Sequence, residues 1–172
     1  MICRGYQFHM GLNVTEEANC AQNGFHCAED PLDCLSYYGS LENSEYCLVR
    51  PGGDIDEDNC DSKIACTELS ILKKLEREEF FLHALAYMVD HPGREWSCHV
   101  HQNQAKAQYG YAVVRGTDPL ASGKKGDILA FAKEDADAKK IVQIAVVRVG
   151  EHKIKSGIWY DINLTERKEE EL

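Results

Sequence analysis

The chain predicts an α+β fold: a mostly antiparallel sheet with two main helices, followed by a C-terminal antiparallel β meander. Three observations carry that expectation. Short apolar runs punctuated by glycine, proline and asparagine recur near the start of the chain. Two segments show apolar residues at spacings of three and four, with capping residues at their ends. The last third reads as strands set about turn signals.

Taken in order, Cys3 to Val14 alternates in short stretches around Gly5 and Gly11, which suits a strand, a break and a second strand. Gln22-Asn23-Gly24 is a turn signal, and Gly24 to Ala28 is short and apolar enough for a buried strand. A helix then starts with Asp30 as N-cap, Pro31 at its first position and Asp33 in its first turn. Leu32, Leu35 and Tyr38 form its apolar stripe, and Gly39 closes it. Glu45 to Arg50 reads as a strand ended by Pro51-Gly52-Gly53, and Asp54 to Asp61 as a solvated acidic loop. That loop is not an EF-hand, since the sixth and twelfth positions counted from Asp54 hold Asn59 and Ala65 in place of glycine and glutamate.

Ile64 to Lys73 fits either period and is read as a strand running into a helix that begins near Glu76. In that helix Phe80 or Phe81, Leu82, Leu85, Met88 and Val89 make the stripe, acids fill the first turn, and His91-Pro92-Gly93 ends it. Gly93 marks the expected internal boundary, giving an N-terminal α+β body over 1–92. Residues 93–165 then hold a small-residue repeat or loop, recurring as Ala107 to Gly110, Ala112 to Gly116 and Ala121 to Gly123, plus the meander. The meander comprises Asp127 to Lys133, Ile141 to Val149 and a hairpin from His152 to Asn163 about Ser156-Gly157. An acidic tail over 166–172 is expected to fray.

The 172 residues are 44% hydrophobic, enough for a real core. With 29 acidic against 19 basic side chains the formal charge is −10, a field that repels phosphate backbones and anionic lipid surfaces. Neither nucleic acid nor a membrane is therefore expected as a partner. No apolar stretch approaches the roughly 20 residues of a spanning helix, and the start lacks the apolar core of a secretory signal, so a cytoplasmic location is expected. The eight cysteines do not form close paired knuckles of the kind that bind zinc. The nearest approach to a metal cluster is Cys98-His99-Val100-His101, where a strand would put at most two ligands on one face. No metal and no cofactor are expected, and most cysteines are read as small buried hydrophobes.

Cys3-Arg4-Gly5-Tyr6-Gln7-Phe8, Asn23-Gly24-Phe25-His26-Cys27, Pro31-Leu32-Asp33, Tyr37-Tyr38 and Gly150 to Lys155 with Trp159-Tyr160 form a series. Together these motifs resemble an uncharacterised domain family of phage and prophage proteins, and the resemblance spans most of the chain. The family implies no settled function; the acidic charge and the absence of a coherent catalytic set point to a phage-derived accessory protein that binds a host or phage protein. A weaker likeness, an arginine and glycine on an opening strand followed by a Gly-Phe strand and a helix with aromatics, is to the front half of ADP-ribosyltransferase folds. It implies a nucleotide ligand such as NAD. The late glutamate those enzymes need is not singled out by any motif here, so the catalytic residues are unknown.

Four residues are candidates for ligand binding. Arg4 offers a fork of donors to phosphate oxygens, although a carboxylate would equally satisfy it. His26 is a polar group that titrates near neutrality, or a buried imidazole bonded to the backbone. Tyr37 and Tyr38 offer rings on which a base would stack, or form the core and rim of the first helix. His26 and Cys27 point to opposite faces of a strand, so they cannot be a base and nucleophile pair. The functional reading requires the opening strand to lie beside the Gly-Phe-His strand.

Overall fold

A computed structural model describes residues 1–57, 60–138 and 140–168. It is a mixed α+β protein, mostly antiparallel, with two helices among the described residues. The chain divides into two compact units, Met1–Glu76 and Arg77–Leu172. The division thus precedes the second helix, where the sequence placed it after residue 92.

The first unit opens with a hairpin of β1 (Ile2–Cys3) and β2 (Tyr6–Gln7), which forms a two-stranded sheet of its own. Its turn is Arg4-Gly5, at φ 47° and 85°, the doubly left-handed geometry that matches the twist of a two-residue hairpin. Strands β3 (Gly11–Val14) and β4 (Phe25–Ala28), helix α1 (Asp33–Tyr37), and strands β5 (Cys47–Glu57) and β6 (Lys63–Lys74) follow. β6 is the middle strand. β5 pairs along one edge of it, while β4 and then β3 share the other, all antiparallel. Phe25, Cys66 and Leu69 form a small core, with Phe8, Cys27 and Val49 packed against it.

Three local expectations change here. Pro51-Gly52-Gly53 does not end β5: the strand runs on to Glu57, so Asp54, Asp56 and Glu57 lie in a strand and not a loop, with residues 58 and 59 of that loop outside the described residues. Proline is tolerated because β5 is an edge strand, whose outward N–H groups have no ladder partner to lose. The glycines make a β-bulge between Gly52 and Ile55, with Gly53 at φ 68° and so close to β6 that a Cβ would sit 2.1 Å from Thr67 Oγ1. At α1, Asp30 Oδ1 accepts the Leu32 N–H at 2.9 Å in the turn before the helix, but the helix begins only at Asp33, with Leu32 as its N-cap and no side-chain cap bond. Gly39 keeps an ordinary negative φ, and its value lies in a close approach, since a Cβ there would meet the Leu35 carbonyl oxygen at 2.9 Å.

The second unit begins with α2 (Arg77–Asp90), whose Phe80, Phe81, Ala84, Leu85 and Met88 are buried, while Leu82 and Val89 from the expected stripe are exposed. Strands β7 (Val100–Lys106), β8 (Tyr111–Ser122), β9 (Ile128–Glu134), β10 (Ile141–Arg148), β11 (Trp159–Asp161) and β12 (Glu166–Arg167) complete it. The small-residue stretch is built as a parallel stack of β7, β8 and β9. Ala105 stands over Ala121, Ala112 over Leu129 and Val114 over Phe131, and all six lie in one core with Val147, Val149, Ile154, Tyr160 and Ile162. Small side chains recur because strands joined by short turns and stacked in parallel leave a narrow interior. Arg115, 3% exposed, ties residues 92–97 to this sheet: Nε donates to Glu134 at 2.7 Å, Nη2 to the Pro92 carbonyl at 3.2 Å, and the guanidinium lies 4.7 Å over the Trp96 ring.

Of the expected meander, only β9 and β10 are antiparallel neighbours in chain order. The hairpin about Ser156-Gly157 does not form. Instead His152 and Lys153, at φ 47° and 69°, make a tight turn, Ile154 is drawn into the core, and the Gly157 N–H donates to the Gly123 carbonyl at 2.8 Å. β11 then pairs with the far half of β8 and with β12. Glu166 and Arg167, the start of the expected fraying tail, are strand residues, held by Lys155–Glu166 and Arg167–Asp118 ion pairs at 2.6 and 2.8 Å. Residues 169–172 of that tail lie outside the described residues.

Candidate functional site

All four candidate ligand-binding residues fall in the first unit, distributed over three environments. Arg4 is an exposed turn residue, not a strand residue. Its guanidinium lies within hydrogen-bonding reach of the Tyr38 hydroxyl, which also meets Cys3 Sγ at 3.1 Å. The contact with Cys3 and burial push the Tyr38 hydroxyl above its ordinary value, against the pull of Arg4. Tyr46 donates its own hydroxyl to the Tyr38 carbonyl, fixing the residue that ends α1. Arginine is costly at a left-handed position, by roughly 1 kcal/mol relative to asparagine or glycine.

Tyr37 is next in sequence but points elsewhere. Its hydroxyl donates to Asp61 Oδ2 at 2.7 Å and accepts from Lys63 Nζ at 3.0 Å, with the ammonium 4.9 Å from the ring centroid. Lys63 lowers the proton affinity of that hydroxyl, while Asp61 and burial raise it and prevail. His26 accepts the Ala21 N–H on Nε2 at 3.1 Å. Its register places it on the same face of the β4–β6 ladder as Lys63, since His26 pairs with Ala65 and Ala28 with Lys63. Lys63 and Asp61 are therefore members of the Tyr37 group that no sequence motif signalled.

The opening strand does not lie beside β4. β4 pairs with β6, and the hairpin reaches it through rings alone, Tyr6 standing 4.8 Å from Phe25 and 4.7 Å from Phe8. Phe25 faces that cluster, and the alternation of a strand turns His26 away from it. The structure thus brings Arg4 to Tyr38 and Lys63 to Tyr37, and it does not bring Arg4 and His26 together through strand pairing.

Cys27 on β4 interacts with both Cys66 of β6 and Cys34 of α1. Burial pushes the Cys27 thiol up to about 12 and the Cys34 thiol up to about 11, the former helped by its two sulfur neighbours and the latter by Asp33, Asp30 and Asp61. Thiols held protonated in this way are weak nucleophiles and weak metal ligands. Among the described residues no group of three or more His, Cys, Asp or Glu side chains is placed to hold a metal ion. In the second unit, His99 precedes β7 and its Nδ1 lies 2.8 Å from the Tyr111 hydroxyl, while Cys98 and His101 are exposed. Among the described residues no helix is long and apolar enough to cross a membrane.

A different feature of the first unit was hidden in the sequence. On β3 the residue facing inward is Asn13, 1% exposed, and Leu12 and Val14 face outward at 51% and 57% exposed. Asn13 is satisfied inside: Nδ2 lies 2.9 Å from the His9 carbonyl, 3.0 Å from that of Gly11 and 3.2 Å from that of Leu69, and Oδ1 accepts the His9 N–H. Register places Arg50, Ser70 and Leu12 in one row of the outer face, and Gly52, Glu68 and Val14 in the next. Leu48 projects from the same face and Leu72 stands at the adjoining bulge, 41% and 46% exposed. This outer face groups four exposed apolar side chains on one sheet surface of the unit.

No curated protein and no solved structure matches the chain. The family model that matches is that of a domain of unknown function (DUF7666), over residues 1–83, which takes in the whole first unit and the first half of α2.

Proposed function

We propose that the protein acts by binding another protein, and that the outer face of the β3–β6–β5 sheet is the surface it uses. One observation carries this reading: Leu12, Val14, Leu48 and Leu72 expose 41% to 57% of their surface on one sheet, with Ser70 and Glu68 of the middle strand and Arg50 of β5 set among them. Apolar patches with a polar rim mark interaction sites on otherwise polar proteins. The resemblance to phage and prophage proteins makes a host or phage protein the class of partner. The test is capture by the immobilised protein, compared with a Leu12→Asp, Leu48→Asp variant whose circular dichroism matches the parent. Both positions are exposed, so the fold should persist, and bound protein should fall at least tenfold. Equal capture by parent and variant refutes the reading.

A second reading, a nucleotide ligand, is favoured by Arg4. An arginine tolerated at a left-handed turn position beside an exposed tyrosine hydroxyl is suited to hold a phosphate next to a ring. NAD at 100 times its dissociation constant should then stabilise the protein by about 2.7 kcal/mol, and Arg4→Ala should remove that stabilisation. A melting temperature unmoved by NAD or related nucleotides rejects it.

A further inference from the structure

We infer that the occupant of the outer sheet face is a second copy of this chain, related by a two-fold axis that crosses Arg50 of each copy with Glu68 of the other. The inference rests on the reading that this face binds protein, and puts a second copy of the chain in the place of a host or phage protein as its occupant. The apolar part of the face leaves one guanidinium and one carboxylate unmatched: among the described residues neither Arg50 nor Glu68 makes an ion pair or a side-chain hydrogen bond.

Arg50 lies opposite Ser70 and Glu68 opposite Gly52, so the two charges occupy diagonal sites in adjacent rows, and the Glu68 side chain lies over Gly52 with Oε2 at 3.4 Å from where a Cβ would be. Arg50 and Glu68, one charge of each sign beside a set of leucines, are self-complementary under a two-fold axis, with Lys73 opposite Leu48 at the end of the patch. Each Arg50 then meets a Glu68, and each Glu68 an Arg50, as a contact that uses the same patch twice requires. Sheets packed face to face stand about 10 Å apart, a gap that an arginine and a glutamate reaching from opposite sides close. The leucines from β3, β5 and β6 interdigitate across it. The acids at Asp54, Asp56 and Glu57 lie further along β5, at the end of the strand beyond the bulge, where two copies of an acidic chain avoid apposing them.

Sedimentation velocity and light scattering of the full chain over a hundredfold concentration range test this. The expected result is a concentration-dependent dimer. Arg50→Glu and Glu68→Arg should each weaken it by at least tenfold, because like charges then face each other twice. An equimolar mixture of the two single variants should restore a dimer containing one copy of each, since every crossed contact then joins a carboxylate to a guanidinium. The Arg50→Glu, Glu68→Arg double variant should dimerise with itself. Restoration by mixing also shows that both single variants fold.

A monomer at every concentration overturns the proposal, as does a dimer that both single variants leave intact or a mixture that stays monomeric. A monomer that still captures a foreign protein, and loses it on Leu12→Asp with Leu48→Asp, overturns the second-copy occupant while the binding reading stands. A monomer whose capture ignores those changes overturns both.

Discussion

Leu12 and Val14 flank an asparagine that is buried more deeply than either. The alternation of β3 is therefore correct in period and inverted in polarity, which the four hydrogen-bonding contacts of the Asn13 amide make tolerable. No rule that sends apolar residues inward finds this, and the outer face stayed invisible for that reason. The cysteines show the opposite case. Reading most of them as small buried hydrophobes fits Cys66 alone: Cys3, Cys20, Cys27, Cys34 and Cys47 are half-buried, with the Cys27 and Cys34 thiols kept protonated by partial burial, and Cys60 and Cys98 are exposed. Since thiolate is the reacting form, iodoacetamide at pH 8 should modify Cys60 and Cys98 first and leave Cys27, Cys34 and Cys66 untouched until the protein unfolds. Peptide mass spectrometry over a time course checks this, and early labelling of Cys27 would contradict it.

Among the elements, α2 was the most legible, because its period, acidic first turn and proline stop agree. Glu78 in that first turn carries a pH dependence. Burial raises its carboxyl, but paired contacts at 2.6 Å from the Arg148 guanidinium, with a backbone N–H, outweigh burial and leave it below its ordinary 4.5. A carboxylate with a lowered folded-state value stabilises the fold above that ordinary value and loses its contribution as pH falls beneath it. Both side chains are about one-third exposed, so the contribution is on the order of 0.5–1 kcal/mol. Glu78→Gln should therefore cost that much in urea melts at pH 7 and almost nothing at pH 3. An equal difference at both would show that the pair does not titrate with folding. β5 was the least legible element, since proline and two glycines announce an end; only its place at the edge of a sheet lets the strand continue.

At the scale of the molecule, the charge of −10 opposes any close approach of two copies, so a two-fold contact must depend on its leucines and on local charge crossing. Composition and local periodicity by themselves determined the α+β class and the positions of α2, β4, β6, β9 and β10, because those follow from spacing, capping and the residues that bound each run. Tertiary structure alone decided that Arg4 meets Tyr38 and not His26, that β8 and β9 run parallel, and that Leu12 and Val14 face outward from β3. Strand partners, and the side of a sheet that finds a cover, depend on residues distant in sequence, and alternation has the same period whichever face is buried.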